Sequence, residues 1–242
     1  MLPEFIFELT AAKKREELVS RVRVLKELVD WIDVPDSPMG VASQFSPVVS
    51  CFIKSLEDVR VIAHVRTIDL SRVALTAIAR GLGICGVERV VYVRGDIADG
   101  STVVRDLEPE DAVSLVRQLD VGVSPGLTLS LRKDLAEILK RIYLKADFYL
   151  VLNLNESTES KLVDVAEISK RLGLKVYPYL VVASEYSYEK LVRVLGRDKI
   201  LSVDRALELA VKYGHLVDGF LISSPLDFKN GVEFLNKLRS RI

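Results

Sequence analysis

Arg94, Gly95 and Asp96 follow directly on an apolar run, Val90-Val91-Tyr92-Val93. Arg94 offers a planar, permanently charged fork suited to a phosphate or carboxylate. Gly95 removes a side chain, so a ligand can approach the backbone. Asp96 puts a carboxylate at the carboxyl end of a strand, where α/β folds keep their chemistry. An isolated Arg-Gly-Asp is more simply a charged turn, because turns favour Gly and Asp. Its place after a buried strand shifts that balance. A second acid, Glu8, stands between Phe7 and Leu9. On a packed strand it would be partly desolvated, which raises a carboxyl pKa and suits a general acid. The alternative is a salt bridge inside the fold, to Arg66 or Lys175. His64 is one of two histidines, and a lone histidine at a strand end is more often a structural hydrogen-bonder than a catalyst. The other, His215, follows Gly214 and is expected to cap a helix.

These residues need elements to hold them. Four apolar residues in a row before Arg94 suit a parallel strand covered on both faces. Similar runs at 5–9, 30–34, 60–65, 148–152, 175–180 and 219–222 read as strands, with a weak fifth strand at 121–123. Pro178 makes the seventh uncertain as well. Helical spacing of apolar residues falls between them. The first helix should begin at Thr10 or Ala11 and run to about Leu28, with a short one at 47–56. A third, capped by Asp69 and closed by Gly81 and Gly83, carries Val73, Ile78 and Leu82. Pro109 opens the next. Further helices are expected at 132–145, around Leu162 to Leu172, and at 188–195, 203–213 and 228–238. Alternation of this kind predicts a (β/α)8 TIM barrel, α/β in class, as a single domain over residues 1–242. An open doubly wound sheet is the rival, but Glu8-Leu9-Thr10-Ala11-Ala12 has no glycine fingerprint. The barrel would gather strand-end polar residues at one mouth: Glu8, Asp33, Asp36, His64, Arg66, Arg94, Asp96, Asn153, Asn155 and Ser223.

Lys plus Arg and Asp plus Glu both number 34, a net charge of +0. Such a chain has no general attraction for nucleic acid or anionic membrane. No apolar run reaches the roughly 18 residues of a bilayer span, and the first ten residues lack the basic start of a signal peptide. A cytoplasmic protein is expected. Cys51 and Cys85 sit among apolar residues, far apart in sequence, and read as reduced core residues. Gln44 and Gln118 are the only glutamines, a weak thermophilic signal. No nucleophile elbow, P-loop or metal-ligand spacing is present.

Three segments together resemble the methylenetetrahydrofolate reductase family. They are Phe5-Ile6-Phe7-Glu8, Ala63-His64-Val65-Arg66-Thr67-Ile68-Asp69, and Gly83-Ile84-Cys85-Gly86-Val87 with Val93-Arg94-Gly95-Asp96. They look like that family's first-strand Phe-Glu, its third-strand His-Leu-Thr-Cys-x-Asp and its Gly-Ile…Leu-Arg-Gly-Asp. Lys145-Ala146-Asp147-Phe148 and Val217-Asp218-Gly219-Phe220 resemble entries to later strands. The resemblance implies a (β/α)8 barrel carrying FAD that reduces a methylene-pterin to the methyl form, with a folate or a tetrahydromethanopterin-like analogue as substrate. It implies Glu8 as general acid and Asp96 as the residue tuning flavin and pterin. His64, Arg94 and Gly95, with Asp96, would be the cofactor-binding residues. The chain departs from the family in three places. Its Tyr-Pro-Glu-x-His segment falls on Ser124-Pro125-Gly126, without a histidine. Its Thr-Gln, which serves NAD(P)H and folate, falls on Val151-Leu152. Its Thr-Tyr-Gly falls on Val34-Pro35-Asp36. These departures take away the basis for assigning NAD(P)H as donor, and leave another donor, a partner subunit or a homo-oligomer open. The competing expectation is an accessory barrel subunit that binds a pterin or a protein partner without FAD.

Overall fold

The protein is described by a computed structural model covering residues 3–10, 12–97, 100–144 and 146–242. Ala11, Ala98, Asp99 and Lys145, which the readings above touched, lie outside them. Eight strands form a closed barrel in the order β1 to β8, with helices alternating along the chain. This is the (β/α)8 barrel that the apolar periodicity predicts. The chain separates into two compact units, one of Met1–Thr10, Glu27–Asp30 and Leu129–Ile242, the other of Ala11–Lys26 and Trp31–Thr128.

The second of these units holds α1 (Arg15–Leu25), β2 (Trp31–Val34), α2 (Ser46–Leu56), β3 (Val61–Arg66), α3 (Arg72–Ile84), β4 (Arg89–Val93), α4 (Pro109–Leu119) and most of β5 (Ser124–Ser130). All six residues of β3 are buried, as expected of a strand covered on both faces. β2, β3, β4 and β5 pair in parallel, with His64 beside Val91 and Arg66 beside Val93. At the amino end of this sheet the Trp31 ring lies between two guanidinium groups, Arg89 at 3.8 Å and Arg60 at 4.5 Å.

Four expectations change here. The first helix starts at Arg15, later than Thr10 or Ala11. The α3 N-cap is Ser71, whose hydroxyl accepts the Ala74 N–H. Asp69 is drawn instead to the buried Arg66 guanidinium at 2.6 Å, because a buried cation needs a counter-charge more than a helix needs a cap. Gly81 and Gly83 lie inside α3, and the left-handed residue that follows its C-cap is Gly86, φ +74. The Val87 and Gly86 N–H groups bond the Leu82 and Gly83 carbonyls, a Schellman closure. Gly83 serves a close approach, since a Cβ there would sit 2.4 Å from the Val121 carbonyl oxygen. The fifth strand is Ser124–Ser130 rather than 121–123. Asp120 and Gly122 both take positive φ and break the earlier segment, while Leu127 and Leu129 alternate with Thr128 and Ser130. Pro125 is tolerated at the second residue, near the strand's beginning.

Cys51 and Cys85 are not reduced core residues. They form a disulfide with Cα atoms 5.2 Å apart, joining α2 to the C-cap of α3, and both are only partly buried. Their separation of 34 residues hid the pair, because only the packing of two helices brings them together. Intracellular disulfides are rare outside hyperthermophiles.

The other unit holds β1 (Glu4–Glu8), α5 (Leu135–Ile142), β6 (Phe148–Leu152), α6 (Glu159–Arg171), β7 (Lys175–Val181), α7 (Glu185–Leu195), α8 (Val203–Tyr213), β8 (Gly219–Ser223) and α9 (Phe228–Arg239). β1 pairs with β8 and β6 with β7, all parallel. Pro178 is kept in β7, beside Val151. Phe7 meets the Phe228 ring edge-on at 5.7 Å, and a Cβ at Gly231 would reach the Phe7 ring at 2.7 Å. Phe7 thus faces α9, and alternation turns Glu8 to the opposite face of β1. Among the described residues no helix is long and apolar enough to cross a membrane.

Cross-linking residues this far apart stabilises a fold by roughly 2–4 kcal/mol. Cys51→Ala with Cys85→Ala, or treatment with a reductant, should lower the denaturant midpoint accordingly. An unchanged midpoint would mean that the bond does not form.

Candidate functional site

In the unit containing β2 to β4, alternate residues of β3 share one face: Ile62, His64 and Arg66. Asp33 pairs with Ile62, so it shares that face too. His64 Nε2 lies 2.8 Å from Asp33 Oδ1. The His64 main-chain N–H donates to Ser46 Oγ at 2.9 Å, and that hydroxyl donates to the Val34 carbonyl at 2.7 Å. Ser46 opens α2, so helix and strand are tied at this point.

Arg66 is 4% exposed. Its Nε donates to Asp69 at 2.6 Å, Nη1 to the Ser37 carbonyl at 2.7 Å and Nη2 to the Asp96 carbonyl at 2.8 Å. One guanidinium therefore joins the turns that follow β2, β3 and β4. Residue types alone point to Arg94 as an anion fork and to Arg66 as a partner for Glu8. The structure makes Arg66 the buried hub and leaves Arg94 at the rim, 3.9 Å from Glu108. Asp96 and Arg94 are exposed.

Asp36 follows β2. Burial pushes its carboxyl above the usual aspartate range, against the Ser37 hydroxyl, the Arg66 main-chain N–H and the charges of Arg66 and His64, all of which pull it down. Tyr92, with a different parity on β4, is raised by burial alone and stands apart from this cluster.

In the other unit, Ser223 Oγ donates to Glu8 Oε1 at 2.7 Å. Ser223 is buried and Glu8 half-buried. Lys175, the other salt-bridge partner considered for Glu8, reaches Glu4 at 3.4 Å, and Glu4 also accepts from Tyr177. Asn153 donates to Ser130 Oγ at 2.9 Å, tying the ends of β5 and β6. Asn155 is engaged in a turn. Its Oδ1 accepts from the Ser157 N–H and hydroxyl, and its own N–H donates to Thr158, a turn that leads into α6. Helix α8 closes with the Gly214 N–H on the Ala210 carbonyl, one residue before the exposed His215.

Sequence reasoning missed Ser46, Ser37 and the roles of Asp33 and Asp69. Only Asp69 carried a readable signal, an acid three residues after an arginine. Among the described residues no group of three or more His, Cys, Asp or Glu could hold a metal ion.

The family model for methylenetetrahydrofolate reductase matches residues 4–131. The chain belongs to the methylenetetrahydrofolate reductase family. Glu8, His64, Arg94, Gly95 and Asp96 all fall inside the matched segment. No curated protein sequence matches the chain. Among solved structures, a mutant tryptophan synthase α-subunit from Pyrococcus furiosus aligns with a TM-score of 0.63 at 11% identity, over 100% of this chain and 97% of that one. DmoA from Hyphomicrobium sulfonivorans aligns with a TM-score of 0.64 at 10% identity, over 100% and 88%. At such identities the likeness is one of fold. The family's Tyr-Pro-Glu-x-His segment follows the fifth strand. Here Ser124-Pro125-Gly126 opens that strand, so the segment's place falls to Leu131-Arg132-Lys133.

Gly95 holds φ +89, and a Cβ on it would lie 2.8 Å from Arg66 Nε. Gly100 holds φ +72 with nothing within 4 Å of its own Cβ position. A left-handed non-glycine residue costs about 1–2 kcal/mol. Gly100→Ala should cost that much and Gly95→Ala clearly more, as read by chemical denaturation; equal costs would remove Arg66 from its place against Gly95.

Asp36 gives a pH prediction. Because its carboxyl is raised on folding, the folded state keeps the proton longer than the unfolded chain. Stability therefore falls as pH rises from the ordinary value of 3.8 through the raised one. Asp36→Asn should stabilise the protein at neutral pH and give no gain below 3.8. Denaturant midpoints at the two pH values check the sign.

Proposed function

We propose that this protein is a flavin-dependent reductase of a one-carbon-carrying pterin, with Glu8 as general acid. The observation that carries this reading is the family match over residues 4–131, which contains an acid at the end of β1, a buried histidine on β3 and an Arg-Gly-Asp turn after β4. The residues present fit FAD. The Arg94 side chain is 60% exposed, with one acidic neighbour among the described residues at 3.9 Å, so its fork can meet a phosphate. At Gly95 the space a side chain would take is filled by the Arg66 guanidinium, so the backbone is held in place rather than opened by the missing side chain. When bound, FAD would supply hydride transfer to the substrate carbon.

The remaining steps belong to the chain. Glu8 gives its proton to a pterin nitrogen of the methylene bridge. That C–N bond breaks with its electron pair on nitrogen, and the carbon becomes an iminium that can accept hydride. The hydrogen bond from Ser223 holds the Glu8 carboxyl in place for the transfer. Asp96 sets a negative charge that opposes charge build-up on a reduced ring system and orients the pterin. His64 and Arg94 hold the cofactor. The electron donor is open, since Val151-Leu152 replaces the family's Thr-Gln.

A specific observation favours a second reading. Leu131-Arg132-Lys133 after β5 carries neither tyrosine nor histidine, and Arg132 pairs with Asp198. On that reading the barrel is an accessory subunit that binds a pterin or a protein partner without FAD.

The absorption spectrum separates the two. A yellow protein, or one that takes up added FAD, supports the reductase; a colourless protein indifferent to FAD supports the accessory subunit. Removing a general acid lowers turnover by about 100- to 10,000-fold. Glu8→Gln should do so with flavin still bound, and retained methylene-pterin reduction would take Glu8 out of its role.

A further inference from the structure

Asp33 has no part in the steps above, yet it is the most expensive residue in its unit. It is 0% exposed, and burying a carboxylate is costly unless its oxygens are used. Only one of them is. Oδ1 meets His64 Nε2 at 2.8 Å, while Oδ2 is buried with no hydrogen-bond partner among the described residues. Neighbouring Ile32 and Val34 are apolar and buried, and an apolar side chain of like volume at position 33 would fold at less cost. The His64 backbone does not need the acid either, because Ser46 already ties its N–H to the Val34 carbonyl. What Asp33 meets is the imidazole ring, at Nε2.

We propose that Asp33 is a positioning residue for His64, one that takes the Nε2 proton and so fixes the ring's orientation and tautomer. The proposal rests on the reading that His64 belongs to the ligand site. With Nε2 committed to the carboxylate, the ring cannot turn without breaking that bond. His64 then meets a ligand with a defined edge, and the ordering cost of a freely turning ring is met during folding rather than during binding. The other charged groups of this unit around the site are Asp36, whose carboxyl senses His64, Arg66 with its partner Asp69, and the exposed Arg94 and Asp96.

Nitrogen-15 NMR of the ligand-free protein tests this directly, and the two histidines make assignment simple. The expected result is a low-field His64 Nε2–H that exchanges with water at least roughly tenfold more slowly than any ring proton of exposed His215. Asp33→Ala should abolish that resonance, and Asp33→Asn, whose amide can turn and donate, should shift the His64 tautomer while His215 stays unchanged. A His64 ring that exchanges as fast as His215 in the unaltered protein overturns the proposal, even if neither variant folds. An unchanged His64 signal in Asp33→Asn or Asp33→Ala overturns it as well. FAD uptake is measured separately: the NMR signature without flavin binding leaves the pair standing and removes the flavin reading, and flavin binding without the signature does the reverse.

Discussion

Arg66 is the interaction on which the candidate site depends. A buried guanidinium is tolerated only where its N–H groups find acceptors. Here the acceptors are the Asp69 carboxylate and the carbonyls of Ser37 and Asp96. Each lies on a turn after a different strand. The cation therefore cannot be satisfied unless those turns stand in one arrangement, and the turns lose a common anchor without the cation. Gly95 is part of the same constraint, because the guanidinium occupies the space a side chain would need. In the family's third-strand pattern a threonine stands where this chain has Arg66, so the clamp is a feature of this chain's own sequence.

Beneath Arg66 the same face of β2 and β3 carries the Asp33–His64 pair, and at its amino end Trp31 between Arg60 and Arg89. This face mixes polar and aromatic groups with the buried Ile62. The Asp33–His64 contact joins adjacent strands, since alternation and parallel register bring those groups to one level, while Arg66 is held by the turns that follow the strands. Such a face costs stability that the apolar parity of the same strands must offset. Val34, Ala63, Val65 and Val90 are all buried on it.

The other unit solves a smaller problem. Glu8 is turned away from α9 by Phe7 and receives the Ser223 hydroxyl. The turns after β7 and β8 are joined by Ser184 on Asp227 at 2.5 Å, and Asn230 of α9 reaches back to Ser224 at 3.1 Å. Asp227 also accepts the Asn230 N–H as N-cap of α9. The role proposed for Glu8 needs a fixed carboxyl, and the Ser223 hydroxyl holds it on the strand.

Taken by itself, the sequence determined the number and order of strands and helices, the barrel, the family and the place of Glu8 at the end of β1. Those follow from local pattern: apolar runs, helical spacing and turn residues act over a few positions, and the chain carries them wherever it folds. Tertiary structure alone decided which groups meet. The Cys51–Cys85 bond, the capture of Asp69 by Arg66 and the pairing of Asp33 with His64 each join residues of different elements or override a local preference. The start of β5 at Ser124 also lay beyond local reading, because Pro125 and Gly126 are poor strand formers that pairing with β4 overrules. Such outcomes depend on register and on the demands of a buried charge, and neither is written in the spacing of a single segment.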